Sequence, residues 1–245
     1  MALNEKTQLE KAKGMAYLFL QLPIEKAEIP FCVYHPIFDS PVIYFNGEMI
    51  DVLDEKNTEI FEQYKLLYKE KVIDTCESVN EIICTVIRNP YILAYLKFLY
   101  KDKILTACEI GYYLAKNWSS IEFISKDSNV SKKQILNWLK VVDKKELMQK
   151  EEWEKYNSFS DTITIYRGCN SKQAIRNLSW TTDKSKAIWF ARRFLTAHKK
   201  GYLCTASIKK NDIMFYTNRY GENEVVIDYS KLQDLQIETI KTNIR

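Results

Sequence analysis

The sequence predicts an α+β fold in which a helical N-terminal part precedes a β-rich C-terminal part. From about residue 57 to 155, apolar residues recur at the spacing of a helix face, whereas after about residue 160 they alternate with polar residues, as in strands. Glycine and proline are scarce, with 6 and 5 residues, so long irregular segments are not expected. We place the helical part at 1–157 and the β-rich part at 158–245. No flexible linker separates them, so they can share one core.

The helical part opens with a helix predicted over about 4–21, which ends near Pro23. A short irregular segment with strand character follows near 28–52, and Asn46-Gly47 within it is typical of a hairpin turn. Three further stretches of the N-terminal part have apolar residues at helical spacing. The last of them begins with a proline, which is suited to the first turn of a helix. They read "NTEIFEQYKLLYKEKVIDTCESV", "VNEIICTVIRN" and "PYILAYLKFLY".

The β-rich part contains five strand-like stretches and one helix. The strands are predicted at "TITIYRG", "YLCTASI", "DIMFY", "EVVID" and "LQIETI". The helix is predicted at "DKSKAIWFARRFLTAH", with Thr182 or Asp183 as its N-cap. An apolar stripe on this helix is suited to packing on a sheet. Its residues are Ala187, Phe190, Ala191 and Phe194.

Composition argues against a membrane segment, a secretion signal and a metal site. No run reaches the ~18 apolar residues that a bilayer span needs, and the N-terminus lacks the order of a signal peptide. The six cysteines form no CxxC pair, and the two histidines are far apart. We therefore expect reduced thiols in a cytoplasmic protein, without zinc or another metal.

The net charge of +4 is unevenly distributed. Residues 161–245 hold 15 Lys/Arg against 8 Asp/Glu, a net charge of +7, so residues 1–160 carry a net charge of −3. A basic C-terminal part suits a polyanion, a phosphate-bearing cofactor or an acidic partner. Solvated lysines with no binding role are the alternative.

Two predicted strands carry polar groups suited to binding. Arg167 shares a strand face with apolar residues, where a guanidinium needs an anion or polar group, and Gly168 after it admits close approach of another group. A structural pair of Arg167 with a carboxylate is the alternative. Ser179 and Thr181 place hydroxyls on one face of a short strand, with Trp180 on the other.

The segment "GENEVVID" places two carboxylates at the start of a strand that is otherwise apolar. Because side chains alternate along a strand, Glu222 and Glu224 are predicted to project to one side. Neighbouring carboxylates raise one another's pKa, and such a pair can stabilise an oxocarbenium-like carbon. Solvated acids at an exposed strand end are the alternative.

The order of these segments resembles the Arg–Ser–Glu type of mono-ADP-ribosyltransferase, the fold of many bacterial toxins. The matching segments cover about a third of the chain, and the resemblance implies a split mixed or antiparallel sheet. In one departure, Trp180 occupies the middle of a triplet that the family commonly reads Ser-Thr-Ser, so Thr181 can share the role of Ser179. The segments are Tyr166-Arg167-Gly168, Ser179-Trp180-Thr181, the Ala187–Ala191 helix and Glu222-Asn223-Glu224.

The resemblance implies that NAD+ is the co-substrate. Arg167 would anchor its diphosphate or its nicotinamide-side ribose, Gly168 would let the nicotinamide amide bond to backbone, and Ser179 would hold Arg167 or Glu224. Phe190 would pack on the nicotinamide ring or in the core. The residues assigned to NAD+ binding are Tyr166, Arg167, Gly168, Ser179, Trp180, Thr181 and Phe190.

The resemblance also implies roles for the two glutamates and the loop before them. Glu224 would bond the 2′-hydroxyl of the nicotinamide ribose as nicotinamide leaves, and Glu222 would orient or deprotonate the acceptor. The loop "FYTNRYG" would contact the acceptor through Tyr216, Arg219 and Tyr220. Acceptors in the family include arginine side chains and nucleic-acid bases. A toxin or phage-defence effector of this kind is commonly restrained by an inhibitory antitoxin partner.

A helix-turn-helix regulator is the competing interpretation. "EFISKDSNVSKKQILNWLK" has the pattern of two helices joined by a polar turn, with Ser131 as the second N-cap and Lys132 and Lys133 facing phosphates. The C-terminal sheet would then be a ligand sensor. A glycoside hydrolase is less favoured, because its two carboxylates should face one another across a cleft.

Overall fold

A computed structural model describes residues 2–121, 130–193, 195 and 200–241. Short π-helical turns, Lys69–Ile73 and Ile82–Val86, follow the second and third helices directly. The α-helices of the described residues are α1 Ala2–Leu20, α2 Thr58–Tyr68, α3 Val79–Glu81, α4 Ile92–Lys101, α5 Ala107–Lys116, α6 Lys132–Lys140, α7 Lys150–Asn157 and α8 Lys184–Arg192. No described helix combines the length and apolar character that crossing a bilayer requires.

The strands form two hairpins and one larger sheet. The hairpins pair β1 with β2 and β3 with β4, and the six-stranded sheet has the order β10-β7-β5-β6-β9-β8, with every neighbouring pair antiparallel. The strands are β1 Glu25–Lys26, β2 Val33–Tyr34, β3 Val42–Phe45, β4 Glu48–Asp51, β5 Thr162–Cys169, β6 Ser179–Thr181, β7 Lys200–Lys209, β8 Ile213–Thr217, β9 Glu224–Ile227 and β10 Gln233–Lys241.

The chain divides into two compact units. One consists of Met1–Thr106 with Ser120–Glu122, and the other of Ala107–Ser119 with Phe123–Arg245. The predicted α+β class is confirmed, and helix gives way to strand between α7 and β5, near the predicted position 157/158. The compact units divide earlier because α6 and α7 pack on β8 and α5 packs on α6, so these helices belong with the sheet.

The first unit holds α1–α4 and both hairpins. Tyr95 of α4 is fully buried and donates a 2.8 Å hydrogen bond to the carbonyl of Ala12 in α1. The turn predicted at Asn46-Gly47 is confirmed, since both residues have positive φ (51° and 89°), as a two-residue hairpin of this kind requires.

The second unit is built on the six-stranded sheet, against which α8 packs closely. A Cβ on Gly168 of β5 would overlap the carbonyl oxygen of Ala187 and lie 2.5 Å from the nitrogen of Ala191. A Cβ on Gly201 of β7 would overlap the carbonyl of Ala191. The two glycines therefore let the helix backbone approach two adjacent strands.

Helix α8 has the predicted N-cap and apolar stripe, although it ends at Arg192, before the end of the predicted segment. Asp183 is the N-cap, and its carboxylate accepts hydrogen bonds from the backbone of Ser185 (2.8 Å) and Lys186 (3.3 Å). Ala187 and Ala191 of the predicted stripe are buried and Phe190 is half-buried, whereas Phe194 lies outside the described residues.

Candidate active site

The candidate site lies where the two halves of the sheet join. Strands β5 and β6 are paired at a single position, Tyr166 opposite Thr181. The same row continues across the sheet, because Thr181 pairs with Glu224 of β9 and Glu224 with Thr217 of β8. This row holds three of the predicted site residues, and Ser179 begins β6 two positions before Thr181.

Glu224 is a half-buried carboxylate whose charged form is stabilised by two neutral groups. Its Oε1 accepts a 2.8 Å hydrogen bond from the indole nitrogen of Trp118, and the side chain of Ser179 is also bonded to it. Burial raises the pKa of Glu224 above its ordinary value, while the bonds to Ser179 and Trp118 and the charge of Arg167 lower it. These groups hold the carboxylate in one orientation.

Trp118 is a site residue that the sequence patterns did not reveal. It lies two residues after α5, is 4% exposed, and packs edge-to-face on Phe215 of β8 with ring centroids 5.4 Å apart. Indole is only a donor, so a buried Trp118 needs an acceptor such as Glu224. A tryptophan following a helix gives no local sign of a partner 106 residues later.

Arg167 is partly buried and donates to backbone carbonyls. Its Nε lies 2.8 Å from the carbonyl oxygen of Ala174, and a terminal nitrogen donates to the carbonyl of Ser179. Among the described residues, no carboxylate lies within ion-pairing distance of it, in contrast to the structural pair considered above. Burial lowers the pKa of Arg167, although a guanidinium remains protonated in proteins.

Glu222 does not lie on the strand, so the prediction that strand alternation aligns the two glutamates is wrong. Asn223 between them has a φ of 48°, in the left-handed region, and β9 begins only at Glu224. Glu222 therefore belongs to the preceding turn. Burial raises its pKa, and the nearby cations Lys186 and Arg193 of the α8 region lower it. The charge of Glu222 also raises the pKa of Glu224, so the carboxylates are still electrostatic neighbours.

Thr181 secures the turn that carries Glu222. Its hydroxyl donates a 2.6 Å hydrogen bond to the carbonyl of Glu222 and accepts one of 3.0 Å from the amide of Asp183. Trp180 points to the opposite face, where it is 2% exposed and donates to the carbonyl of Asn177. The middle residue of Ser179-Trp180-Thr181 is thus a core residue.

The predicted acceptor loop is shorter than "FYTNRYG", because its first three residues belong to β8 and are buried. Tyr216 is 3% exposed, and its hydroxyl donates a 2.8 Å hydrogen bond to Asn223, so it supports the turn instead of projecting outward. Arg219 and Tyr220 are exposed, and Arg219 donates to the carbonyl of Lys116.

Glu152, a second residue that the patterns missed, ties α7 to this loop. One oxygen of its buried carboxylate accepts from the hydroxyl of Thr217 (2.7 Å) and the amide of Asn218 (3.1 Å). The other accepts from the amide of Gln149 (2.8 Å) in a capping box at the start of α7. Glu152 therefore fixes the point where β8 ends and the loop begins.

Two thiols lie beside Arg167. Cys204 is opposite Arg167 in the β5–β7 register, and Cys169 is two residues further along β5. Their mutual hydrogen bond and the charge of Arg167 lower the pKa of Cys169 to about 7, against the effect of burial, and the same bond raises the pKa of Cys204. Both cysteine side chains are buried, so Arg167 has two polarisable thiol groups as neighbours.

The remaining predicted residues have mixed outcomes. The side of Gly168 that lacks a side chain is filled by α8, so helix packing explains glycine at this position, and a backbone contact with nicotinamide stays a prediction. Phe190 packs against Trp189 with ring centroids 5.0 Å apart. In the helix-turn-helix interpretation, Ser131 does cap α6, whereas its first helix and turn fall on residues outside those described.

The arrangement provides a half-buried carboxylate at Glu224, a guanidinium at Arg167 that forms no ion pair among the described residues, and a second carboxylate at Glu222. Such a set can stabilise a cationic carbon, bind an anionic group and accept a proton. Among the described residues, no three His, Cys, Asp or Glu side chains converge as metal ligands do. No protein-family model, curated protein or solved structure matches the chain.

Proposed function

We propose that the protein is a mono-ADP-ribosyltransferase that moves ADP-ribose from NAD+ to a macromolecular acceptor. The observation that carries the proposal is the convergence of Glu224, Ser179 and Arg167 from strands β9, β6 and β5. This convergence in space supports the proposal in addition to the order of the three segments along the chain. The sheet's single pairing between β5 and β6 also agrees with the split sheet that the family resemblance implies.

The role of Glu224 follows from its surroundings. As the bond between nicotinamide and ribose breaks, its electrons leave with nicotinamide and positive charge develops at the anomeric carbon. A carboxylate held by Trp118 and Ser179 is oriented before this charge appears, which is the requirement for electrostatic stabilisation. Its partly buried position strengthens the interaction with a cation, because water screens it less.

The role of Glu222 follows from its place in the turn before β9. The acceptor nucleophile forms the new bond to the anomeric carbon and loses a proton, which a nearby carboxylate can take. The raised pKa of Glu222 suits a base, and the exposed residues Arg219 and Tyr220 adjoin it on the loop. We assign Glu222 and this loop to the acceptor, and Glu224 to the ribose.

The acceptor is a protein side chain such as arginine, or a base of RNA or DNA. The net charge of +7 over residues 161–245 is compatible with a nucleic-acid acceptor. A transferase of this kind would act in the cytoplasm as a toxin or phage-defence effector, held inactive by an inhibitory partner.

The test uses purified protein with NAD+ labelled in the adenylate portion, incubated with cell lysate or total RNA. We expect release of nicotinamide and label on a macromolecule, and loss of both in Glu224→Gln. Glu222→Gln should lose transfer to the acceptor while retaining hydrolysis of NAD+, because only the acceptor needs its proton removed.

Circular dichroism must show that both variants are folded, and Glu238→Gln on β10, where the side chain is exposed, is the matched control. If folded wild-type protein neither binds nor consumes NAD+ in the presence of lysate or RNA, the proposal is wrong. Toxicity on expression that the Glu224→Gln change relieves would support it independently.

A further inference from the structure

We propose that Lys132 and Arg167 together form a site for the diphosphate group of a nucleotide, with Lys132 supplying a second cation from outside the strands. The identity of the nucleotide as NAD+ rests on the proposed function, whereas the two-cation site does not. The helix-turn-helix interpretation directs Lys132 at phosphates of a duplex, whereas in the structure its ammonium donates to the carbonyl of Arg176.

The two cations lie against one short turn. Arg167 donates from Nε to the carbonyl of Ala174, and the Lys132 ammonium donates to the carbonyl of Arg176, two residues later. The Lys132 ammonium also lies 5.4 Å from the centre of the Tyr229 ring. Lys132 at the start of α6 therefore reaches the turn that Arg167 holds from β5.

Neither cation forms an ion pair with a carboxylate in the described part of the chain, although the charge of Glu224 acts on Arg167. The ion pairs there involve other lysines; Lys140 at the end of α6, for example, pairs with Asp228 at 3.0 Å. Burial and the charge of Arg167 lower the pKa of Lys132, as expected for two like charges brought close together. A bound anion would relieve this repulsion.

The first turn of α6 adds to the positive potential. The helix has nine residues and begins with Lys132 and Lys133, with no acidic residue in its first turn. Backbone amides at a helix N-terminus favour anions, so cations are usually disfavoured there. The sequence thus places two charges against the helix dipole, and one of them, Lys132, reaches the turn that Arg167 also contacts.

A small diphosphate fits these features better than duplex nucleic acid does. Contact with a duplex requires cations that project from the surface, as exposed Lys133 does, whereas Lys132 is partly buried against the turn. Two adjacent cations match two adjacent phosphates, and charge-assisted bonds of this type are strong.

The experiment measures binding of ADP, inorganic pyrophosphate and adenosine by isothermal titration calorimetry, using the full chain. Lys132→Gln should weaken binding of ADP and pyrophosphate by about tenfold or more, the loss expected for a hydrogen bond to a charged group. Lys133→Gln removes the same charge from the next residue and should change binding less than about twofold, since exposed charges are screened. Adenosine binding should be unaffected by either change.

Unchanged ADP binding in folded Lys132→Gln would overturn the proposal, as would the absence of ADP and pyrophosphate binding to wild type at millimolar concentration. Equal losses in both variants, together with binding of duplex DNA, would indicate a nucleic-acid surface instead. If Lys132→Gln does not fold, wild-type protein is acetylated with and without pyrophosphate. Selective protection of Lys132 over Lys133 supports the site, and equal labelling refutes it.

ADP cannot undergo transfer, so these results do not depend on catalysis. Lys132-dependent ADP binding without NAD+ turnover would retain the site and reject the transferase. Turnover of NAD+ together with ADP binding that does not depend on Lys132 would retain the transferase and reject the site.

Discussion

The indole nitrogen of Trp118 and the carboxylate of Glu224 are joined by a 2.8 Å hydrogen bond between residues 106 positions apart. Through it, the segment after α5 is connected to the first residue of β9, in the same compact unit. The carboxylate that the proposed chemistry requires as an anion is thus held by a donor that cannot itself titrate.

Trp118→Phe should lower the rate of NAD+ turnover by roughly tenfold or more at neutral pH, since a hydrogen bond to a charged group is worth about 1.5–3 kcal/mol. The ring contact with Phe215 is largely kept, so the fold should persist. Because the Trp118 bond lowers the pKa of Glu224, its loss should raise that pKa. The acid limb of the pH–rate profile should therefore move to higher pH.

Trp153→Phe is the matched control, because Trp153 stacks on Tyr156 with ring centroids 5.5 Å apart and donates nothing to Glu224. It should leave the pH–rate profile in place. A purely structural role for Trp118 would lower the rate without moving the acid limb, and that result would contradict the positioning role.

Glu152→Gln should destabilise the second unit, because an amide nitrogen cannot accept the hydrogen bonds that the carboxylate receives from Thr217, Asn218 and Gln149. Leaving a buried donor without an acceptor costs about 1–3 kcal/mol. Chemical denaturation should show this loss in the free energy of unfolding. The neighbouring change Glu151→Gln, at an exposed position, should cost only a few tenths of a kcal/mol. Equal losses of unfolding free energy in Glu152→Gln and Glu151→Gln would contradict the role of Glu152 as a buried hydrogen-bond acceptor.

Gly168→Ala should displace α8 from the sheet, because the new Cβ would overlap the carbonyl oxygen of Ala187. Overpacking of this kind typically costs about 1–3 kcal/mol. Gly14→Ala in α1 is the control: its Cβ would meet no atom within 4 Å, and alanine in a helix should stabilise by about 0.5–1 kcal/mol. Thermal unfolding followed by circular dichroism separates the two. If Gly168→Ala left the thermal stability unchanged, α8 would move away from β5 without loss of stability, which would contradict this prediction.

The sequence predicts those features whose cause is local. The Asn46-Gly47 turn and the buried run Val225–Ile227 follow from backbone preference and apolar composition, and the structure confirms both. The order of Arg167, Ser179 and Glu224 indicates companion strands, because each residue lies at a recognisable place in a strand-like stretch.

Other features depend on packing between distant segments or on one unusual dihedral angle. Alternation of side chains predicts Glu222 on the strand only if Asn223 is extended, and the left-handed conformation of Asn223 ends the pattern. Trp118 and Glu152 lie in ordinary helical surroundings, and only the tertiary fold brings them to β9 and β8. A local pattern carries no information about such partners.

His35 in the first unit should make stability depend on pH. Its side chain is 1% exposed, and Nδ1 accepts hydrogen bonds from the backbone of Ile37 (3.1 Å) and Phe38 (3.0 Å). Burial, together with the charges of Lys65 and Arg88, lowers the pKa of His35 from 6.5 to about 4. The neutral form is therefore favoured by folding, and this stability is complete above pH 6.5 and is lost as the pH falls towards 4.

Between pH 7 and pH 4.5, protonation of His35 should reduce the free energy of unfolding by roughly 2–3 kcal/mol. His35→Asn keeps an acceptor near the position of Nδ1 and cannot titrate, so its free energy of unfolding should fall less over the same range. Urea denaturation at both pH values measures the difference, and acidic residues that titrate in this range contribute equally to both proteins. Parallel losses in wild type and His35→Asn would show that another group controls the acid sensitivity.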